Sequence, residues 1–188
     1  MINTMILVSG MPATGKTTFA KWLSPEICAP LVSRGRVMEK YVELSGANFD
    51  DDEQRRTLGH IPSGFFWFFC EEIMESSSPL IIEYIFTNKM KEDINSLIEK
   101  YKYQTVNVHF DTSIEVAHRR FHERSQSNPS EKIARPKEIP FERFEKGTND
   151  IKNFRYGDRI IYVDTTDFST VSYKDIVEQI RQYAMGAE

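Results

Sequence analysis

The glycine-rich segment of residues 10–17 is the part of the sequence that most directly predicts chemistry. It fits the pattern G-x-x-x-x-G-K-[ST], in which two glycines, a lysine and a hydroxyl residue hold fixed positions. Glycines at these points let the backbone wrap so that its N–H groups face a chain of phosphates. The segment therefore predicts a phosphate cradle, whose nucleotide-binding residues are Gly10, Met11, Pro12, Ala13, Thr14, Gly15, Lys16, Thr17 and Thr18.

Two side chains of this cradle have predicted roles of their own. Lys16 is expected to reach the β- and γ-phosphates of a nucleoside triphosphate, and the Thr17 hydroxyl is expected to ligate Mg²⁺. A short apolar run at residues 5–9 precedes the cradle, and a helical pattern at residues 17–23 follows it. This strand–loop–helix order is what phosphate binding at a helix N-terminus requires.

One acid and three arginines complete the candidate catalytic set. Glu83 ends an apolar strand-like run, and in α/β sheets ligands bind beyond the carboxyl ends of the strands. A carboxylate there can hold Mg²⁺ through water or act as a base; the alternative is an exposed strand-end acid. Arg120 and Arg124 lie i, i+4 on one helical face, and Arg135 follows in a polar loop. Arginines that close over a phosphoryl group stabilise its charge during transfer, although a solvated basic face is the alternative.

Two further patterns favour a structural explanation. His118 and His122 are spaced i, i+4 and could share a metal, but the sequence has no H-E-x-x-H motif and no third ligand beside them. They are therefore predicted to make surface or loop contacts. The aromatic run at residues 65–69 is interpreted as core packing, with the wall of an apolar or aromatic acceptor pocket as the alternative.

The elements that must position these residues alternate between strands and helices. Strand-like runs cover residues 5–9, 30–33, 79–83, 105–110 and 159–164, with helical patterns between them. Such alternation predicts βαβ units, a parallel sheet and helices on both faces. The whole chain, residues 1–188, is predicted to be a single α/β domain. Residues 34–77 are predicted to form a mostly helical insertion, and residues 125–140, which are polar and contain three prolines, are predicted to form a loop.

Composition places the chain among ordinary globular proteins. Its 188 residues are 40% hydrophobic and 28% charged, which excludes a disordered chain, and the net charge of −4 argues against a nucleic-acid partner. No apolar run approaches the roughly 20 residues of a membrane span, and the N-terminus lacks the basic start of a signal peptide. Cys28 and Cys70 form no C-x-x-C pair. These features predict a cytoplasmic protein without a nucleic-acid or membrane partner and leave the oligomeric state open.

Taken together, the chain resembles the small P-loop kinases grouped with gluconate kinase, chloramphenicol phosphotransferase and the zeta toxins, and more closely the AAA-type predicted kinases of that group. The resemblance lies in residues 10–17, in the run 80–86 with Glu83 before an aromatic residue, and in residues 111–124. It implies a three-layer α/β/α sandwich with a five-stranded sheet in the order 2-3-1-4-5, and ATP and Mg²⁺ as cofactors. It also implies a lid at residues 125–140, an acceptor site within residues 34–77, and contacts from Arg120 and Arg124 to nucleotide and transferred phosphate.

One position departs from that group. Members often carry an aspartate just after the second strand, in a Ser-Arg-Asp-like turn, as the base for the acceptor hydroxyl. Here Gly35 takes that place after Ser33 and Arg34, and Glu83 and Glu39 are the nearest substitutes. The predicted function is an ATP-dependent phosphotransferase acting on a small hydroxylated acceptor. The alternatives are a sensor that binds nucleotide without turnover, a toxin-like kinase and a polynucleotide 5′-hydroxyl kinase.

Overall fold

A computed structural model describes residues 3–47, 52–127 and 139–184 of the protein. Its strands form one parallel sheet: β1 Thr4–Gly10, β2 Leu31–Ser33, β3 Leu80–Glu83, β4 Gln104–Asp111 and β5 Arg159–Asp164. The order across the sheet is β2-β3-β1-β4-β5, and every neighbouring pair is parallel. The predicted fold class and strand order are thereby confirmed.

Helices connect these strands and cover both faces of the sheet. They are α1 Lys16–Glu26, α2 Arg34–Ser45, α3 Asp52–Glu75, α4 Lys91–Tyr101, α5 Ile114–Ser127, α6 Phe141–Lys152 and α7 Tyr173–Ala184. Short 3-10 turns lie at Asn88–Met90 and Phe168–Thr170. In the described ranges, no helix combines the length and apolar character needed to cross a membrane.

The structure describes part of the predicted helical insertion and part of the predicted loop. Helices α2 and α3 fill most of residues 34–77, as the prediction of a helical insertion requires. Helix α5 continues to Ser127, so the first residues of the segment predicted to be a loop are helical instead. Residues 128–138 of that segment lie outside the described residues.

The central strand β1 is buried on both faces, which explains why its sequence is a continuous apolar run rather than an alternating one. Ile6 and Val8 belong to a core formed with α1 and α7. Met5 and Leu7 belong to a second core, formed with α3 and α4. The sheet is therefore the middle of three layers. The carboxyl end of β1 lies between the two helical layers.

A third apolar cluster fixes helices α5 and α6 against the glycine-rich loop. Met11, inside the loop, is fully buried and packs with Ala117 and Phe121 of α5 and with Phe144 of α6. This packing holds the arginine-bearing helix α5 beside the loop.

The two histidines of α5 contact the chain just before α6. The Nε2 atoms of His118 and His122 lie 2.8 and 3.1 Å from the carbonyl oxygen of Ile139. The His118 ring also packs edge-on against Phe141 and Phe144. The predicted loop contacts of this histidine pair are confirmed.

Candidate active site

The glycine-rich loop leaves the carboxyl end of β1 through a conformation that only glycine adopts readily. Gly10 has a φ of 125° and Gly15 a φ of 89°, both in the left-handed region. A Cβ on Gly10 would lie 2.0 Å from the carbonyl oxygen of Phe110 on β4. Gly15 then caps the start of α1, whose first N–H groups have no partner within the helix. The loop therefore ends at a helix terminus that is suited to binding an anion.

The carbonyl oxygen of Met11 organises the interior of this loop. It accepts hydrogen bonds from Thr14 Oγ1 at 2.8 Å and from Lys16 Nζ at 2.5 Å. Burial lowers the pKa of Lys16 to about 8, while Glu83 raises it and Arg124 lowers it. Burial disfavours the charged form of Lys16 because the ammonium loses its hydration. An anion that reaches the ammonium stabilises the charged form again. The loop thus fits a polyphosphate.

Glu83 lies at the end of β3, next to the strand that carries the loop. The register sets Glu83 opposite Val8 of β1 on one side and opposite Ser33 of β2 on the other. Ser33 Oγ donates a hydrogen bond to Glu83 Oε2, and both side chains are buried. Ser33 also caps α2, since its Oγ accepts the Arg36 N–H at 3.5 Å. The carboxylate is thus held from the neighbouring strand, within electrostatic range of Lys16.

Arg120 lies on the opposite side of the loop, against the turn that follows β5. Its Nη1 and Nη2 atoms donate to the carbonyl oxygens of Thr165 and Thr166 at 2.7 and 2.9 Å. Its Cζ atom is 4.1 Å from the centroid of the Phe168 ring. That ring adjoins the loop, because a Cβ on Gly15 would lie 2.9 Å from Phe168 Cε1. Arg120 therefore faces the β5 side of the loop, whereas Glu83 faces the β2 side.

The other predicted site residues are placed as follows. Arg124, one turn beyond Arg120, is half-buried and close enough to Lys16 to lower its pKa. In the first turn of α1, Thr17 is half-buried and Thr18 is exposed. Arg135 lies outside the described residues. The fold thus brings Lys16, Glu83 and Arg124 together around the loop.

The backbone at Gly35 would accept a residue with a side chain, including an acid. Gly35 lies in the first turn of α2, and a Cβ there would meet only Ser33 Oγ, at 3.9 Å. Its φ is not in the left-handed region, so a side chain would fit without strain. Glu39 is half-buried further along α2. Of the two substitute acids, Glu83 is the one that contacts Ser33 and influences Lys16.

Two neighbours of Glu83 were not identified as site residues from the sequence. Tyr84 follows Glu83 in the chain, and Arg34 follows Ser33, the residue opposite Glu83 on β2. The Arg34 Cζ atom is 5.8 Å from the centroid of the Tyr84 ring. Its guanidinium donates to Ser63 Oγ at 3.4 Å and to the Gly59 carbonyl oxygen at 3.3 Å, both in α3. These contacts tie α2 to α3 across 25 and 29 residues of sequence, a separation that no local motif marks.

The donor groups also fit a magnesium ion. Within the described ranges, no cluster of three or more His, Cys, Asp or Glu residues could hold a metal ion by itself. Mg²⁺ in nucleotide sites does not need such a cluster, because one or two protein oxygens, water and substrate phosphates complete its shell. The Thr17 hydroxyl and the Glu83 carboxylate are oxygen groups of the required kind: Thr17 follows Lys16 in α1, and Glu83 lies within its electrostatic range.

Solved structures of several kinases share this fold. A proposed kinase from Chloroflexus aurantiacus J-10-fl matches with a TM-score of 0.80 at 24% identity, over 98% of this chain and 97% of that one. A gluconokinase from Sinorhizobium meliloti 1021 gives 0.54 at 16% identity, over 94% and 89% of the two chains. A shikimate kinase from Acinetobacter baumannii gives 0.53 at 14% identity, over 98% and 94%. No family model and no curated protein matches the sequence.

These likenesses show that the chain shares its fold with these kinases. At such identities the fold alone follows from the comparison, because one fold hosts many functions. The function depends on the chemistry of the site.

Proposed function

We propose that the protein is an ATP-dependent phosphotransferase that moves the γ-phosphoryl group to a hydroxyl of a small acceptor. The observation that carries the proposal is a buried carboxylate, Glu83, fixed beside the lysine of a phosphate-binding loop. The loop alone would serve any nucleotide-binding protein. A positioned carboxylate next to it adds a group that can accept the proton of an attacking hydroxyl or orient it. The fold of known kinases supports this choice.

In this proposal the donor half holds the triphosphate. Lys16 and the first N–H groups of α1 neutralise the β- and γ-phosphates, and Arg124 approaches the same charge from α5. Thr17 would hold Mg²⁺ directly and Glu83 would hold it through water; a bound ion would withdraw charge from the phosphate oxygens. Arg135 is proposed to contribute from residues 125–140, which would act as a lid over ATP.

The nucleoside is proposed to lie on the β5 side of the loop. There the Phe168 ring is 45% exposed and the Arg120 guanidinium stacks on it, next to the start of α1. A flat aromatic ring and a planar guanidinium are surfaces on which a purine base can stack. Arg120 would then act mainly on the nucleoside, and Arg124 on the phosphates.

The acceptor is proposed to approach from the β2 side, between Ser33, Glu83 and the helices of residues 34–77. Its hydroxyl oxygen attacks the γ-phosphorus, forming one O–P bond while the bond to the leaving oxygen of ADP breaks. The hydroxyl proton passes to Glu83, which Ser33 holds in place. In this arrangement Glu83 takes the part that an acid at position 35 would otherwise play.

A phosphoryl-transfer assay tests the proposal. The protein is incubated with Mg²⁺ and ATP labelled at the γ-phosphate, together with a panel of sugars, hydroxy acids and apolar alcohols. We expect a labelled phosphoester with at least one class of acceptor, and we expect Lys16→Ala to abolish it. No transfer to any member of the panel, with ATP binding intact, would contradict the proposal.

Gly35 favours a second candidate function, the binding of ATP without turnover. Position 35 accepts a side chain sterically, yet it lacks the acid that related kinases often use there. A protein of this kind would bind ATP tightly, release no ADP with any acceptor, and recruit a partner in an ATP-dependent manner. The same transfer assay, combined with pull-downs in the presence and absence of ATP, separates the two functions.

A further inference from the structure

A cavity of about 850 Å³ lies between β2, α2 and α3, on the side of the sheet from which the acceptor is proposed to approach. Its volume falls within the roughly 300–1,000 Å³ that is usual for small-molecule pockets. Most of its wall is apolar and comes from Val37, Tyr41, Leu44, Phe65, Phe69 and Ile73. The cavity is therefore suited to a small organic molecule with an apolar body.

The aromatic run of residues 65–69 divides between the core and this cavity. Phe66 is fully buried in the core, as the core interpretation predicts. Phe65 and Phe69 line the cavity, remain 48% and 42% exposed, and stack with ring centroids 6.3 Å apart. Phe68 is 51% exposed and is not part of the cavity wall. Exposed stacked rings facing a pocket offer apolar surface that a ligand can bury.

Three charged side chains are also among the residues that line the cavity. Arg36, Lys40 and Glu72 border it, and all three are exposed. Lys40 already pairs with Glu43, Nζ to Oε1 at 2.7 Å. Long charged side chains of this kind keep their ends in water. They leave the interior of the cavity apolar, so it does not resemble a site for a sugar or for a small polyanion.

One residue links this cavity to the proposed chemistry. Ser33 lines the cavity and donates a hydrogen bond to Glu83 Oε2. A ligand whose apolar part contacts Phe65 and Phe69 can therefore place a polar group near Ser33, which is hydrogen-bonded to the proposed base.

We propose that this cavity binds the phosphoryl acceptor, and that the acceptor is an alcohol with an aromatic or branched apolar body. The chemistry of the proposal rests on the proposed phosphotransferase function. The hydroxyl lies at Ser33 and Glu83, its oxygen bonds to the γ-phosphorus as ADP leaves, and its proton passes to Glu83. The apolar body fills the space between α2 and α3.

Binding is measured first, without turnover. Four alcohols serve as probes: benzyl alcohol, 2-phenylethanol, cyclohexylmethanol and 2-naphthalenemethanol. Each is titrated against the full chain with Mg²⁺ and a non-hydrolysable ATP analogue, and saturation-transfer NMR reports the dissociation constant. We expect at least one probe to bind and Phe69→Ser or Phe65→Ser to weaken it about tenfold, because each removes roughly one ring of buried apolar contact. Tyr162→Ser serves as the control, because it removes a 57% exposed ring from β5, at the other edge of the sheet. Binding by this variant is expected to stay within about twofold of wild type.

Three results would overturn the proposal. The first is that none of the four alcohols binds the wild-type protein. The second is that Tyr162→Ser weakens binding as much as Phe69→Ser does. The third is that light scattering shows a dimer, which Phe69→Ser dissociates, while no probe binds. The last result would mean that a second copy covers this surface. Melting temperature and ATP affinity of each variant establish that it is folded.

Transfer is measured second, and it separates this proposal from the proposed function. Transfer to a bound alcohol that falls in Phe69→Ser and not in Tyr162→Ser supports both. Transfer to sugars or hydroxy acids, with none to the four alcohols, overturns the acceptor class and leaves the phosphotransferase function standing. Phe69-dependent binding with no transfer to any acceptor supports the pocket and overturns the proposed function.

Discussion

The two sides of the candidate site are built in different ways. On the donor side, the loop of residues 10–17 is fixed by backbone geometry: Gly10 has no room for a Cβ, and Lys16 is only 5% exposed. On the acceptor side, Gly35 has room for a side chain, and Phe65 and Phe69 are nearly half exposed. A triphosphate presents the same groups whatever the acceptor is, so backbone can bind it. The identity of the acceptor is left to side chains that can vary.

The largest effect is expected where the two sides meet, at Glu83. Glu83→Gln keeps the shape and the hydrogen bond from Ser33 but removes the base. ATP turnover, to an acceptor or to water, is expected to fall about 10³-fold, while the affinity for ATP changes less than about threefold. Steady-state kinetics and calorimetry measure the two quantities. If Glu39→Gln has the large effect instead, the base has been assigned to the wrong acid.

A pair of glycine variants tests the rigidity of the donor side against the tolerance of the acceptor side. Gly10→Ala forces a Cβ against the Phe110 carbonyl and should lower the free energy of unfolding by about 3 kcal/mol or more. Gly64→Ala, in α3 with nothing within 4 Å of the new Cβ, should raise it by about 0.5–1 kcal/mol. Urea denaturation measures both. Equal stabilities of the two variants would remove the contrast.

The pH dependence of ATP binding tests the burial of Lys16. Without nucleotide its pKa is lowered to about 8, and phosphate raises it by stabilising the ammonium form. Binding therefore takes up a proton above about pH 8, and the dissociation constant for ATP should rise by up to about tenfold per pH unit there. Below about pH 7 the ionisation of Lys16 should no longer change the dissociation constant for ATP. Titrations of wild type and Lys16→Arg measure the profile.

The arginine variant serves as the control in these titrations. A guanidinium stays charged throughout the range, so the rise above pH 8 should be absent in Lys16→Arg even if the affinity is lower overall. An identical rise in both proteins would assign the titration to another group.

The smallest effect is expected at Gly35. Gly35→Asp places an acid in the first turn of α2, where it favours the helix and interacts well with the helix dipole. Stability should increase by about 0.5–1 kcal/mol, and by less in Gly35→Lys, whose charge has the wrong sign there. Thermal unfolding of the two variants measures the difference. A loss of stability in both would show that this turn needs glycine after all.

Much of the fold and the donor side could be predicted from sequence because their signals are local. The loop is a contiguous motif, and doubly buried strands appear as continuous apolar runs. The strand predicted at residues 159–164 has the observed bounds of β5, and the others differ from the observed strands by at most one residue at either end. Glu83 was predicted to end a strand, and the structure confirms this position. Its role in the site stays a prediction.

The contacts of Arg120 could not be predicted in this way. Its partners are the carbonyl oxygens of Thr165 and Thr166, 45 and 46 residues away in sequence. Every residue offers a carbonyl oxygen, so such a contact leaves no signature in the residue types. The same holds for the Ile139 carbonyl that the two histidines of α5 contact.

The burial of the polar side chains of β4 could not be predicted from the sequence either. Its alternating pattern is typical of a strand with one solvated face, but here both faces are buried. Ser9 Oγ donates to Asn107 Oδ1 at 2.6 Å and lies 2.8 Å from His109 Nδ1. Burial lowers the pKa of His109 to about 4, so its imidazole is neutral at physiological pH. Hydrogen bonds across strands replace water here, and only tertiary structure reveals them.

The most direct test of the central claim is the affinity of Lys16→Ala for Mg·ATP, measured by calorimetry beside Lys21→Ala. Both lysines lie in α1, but Lys16 is buried under the loop and Lys21 is exposed. We predict that Lys16→Ala weakens binding by about 100-fold or more, because a desolvated charge on the phosphates is lost. Lys21→Ala should stay within about twofold. A Lys16→Ala variant that binds ATP as tightly as the wild-type protein would show that the buried lysine does not bind the triphosphate.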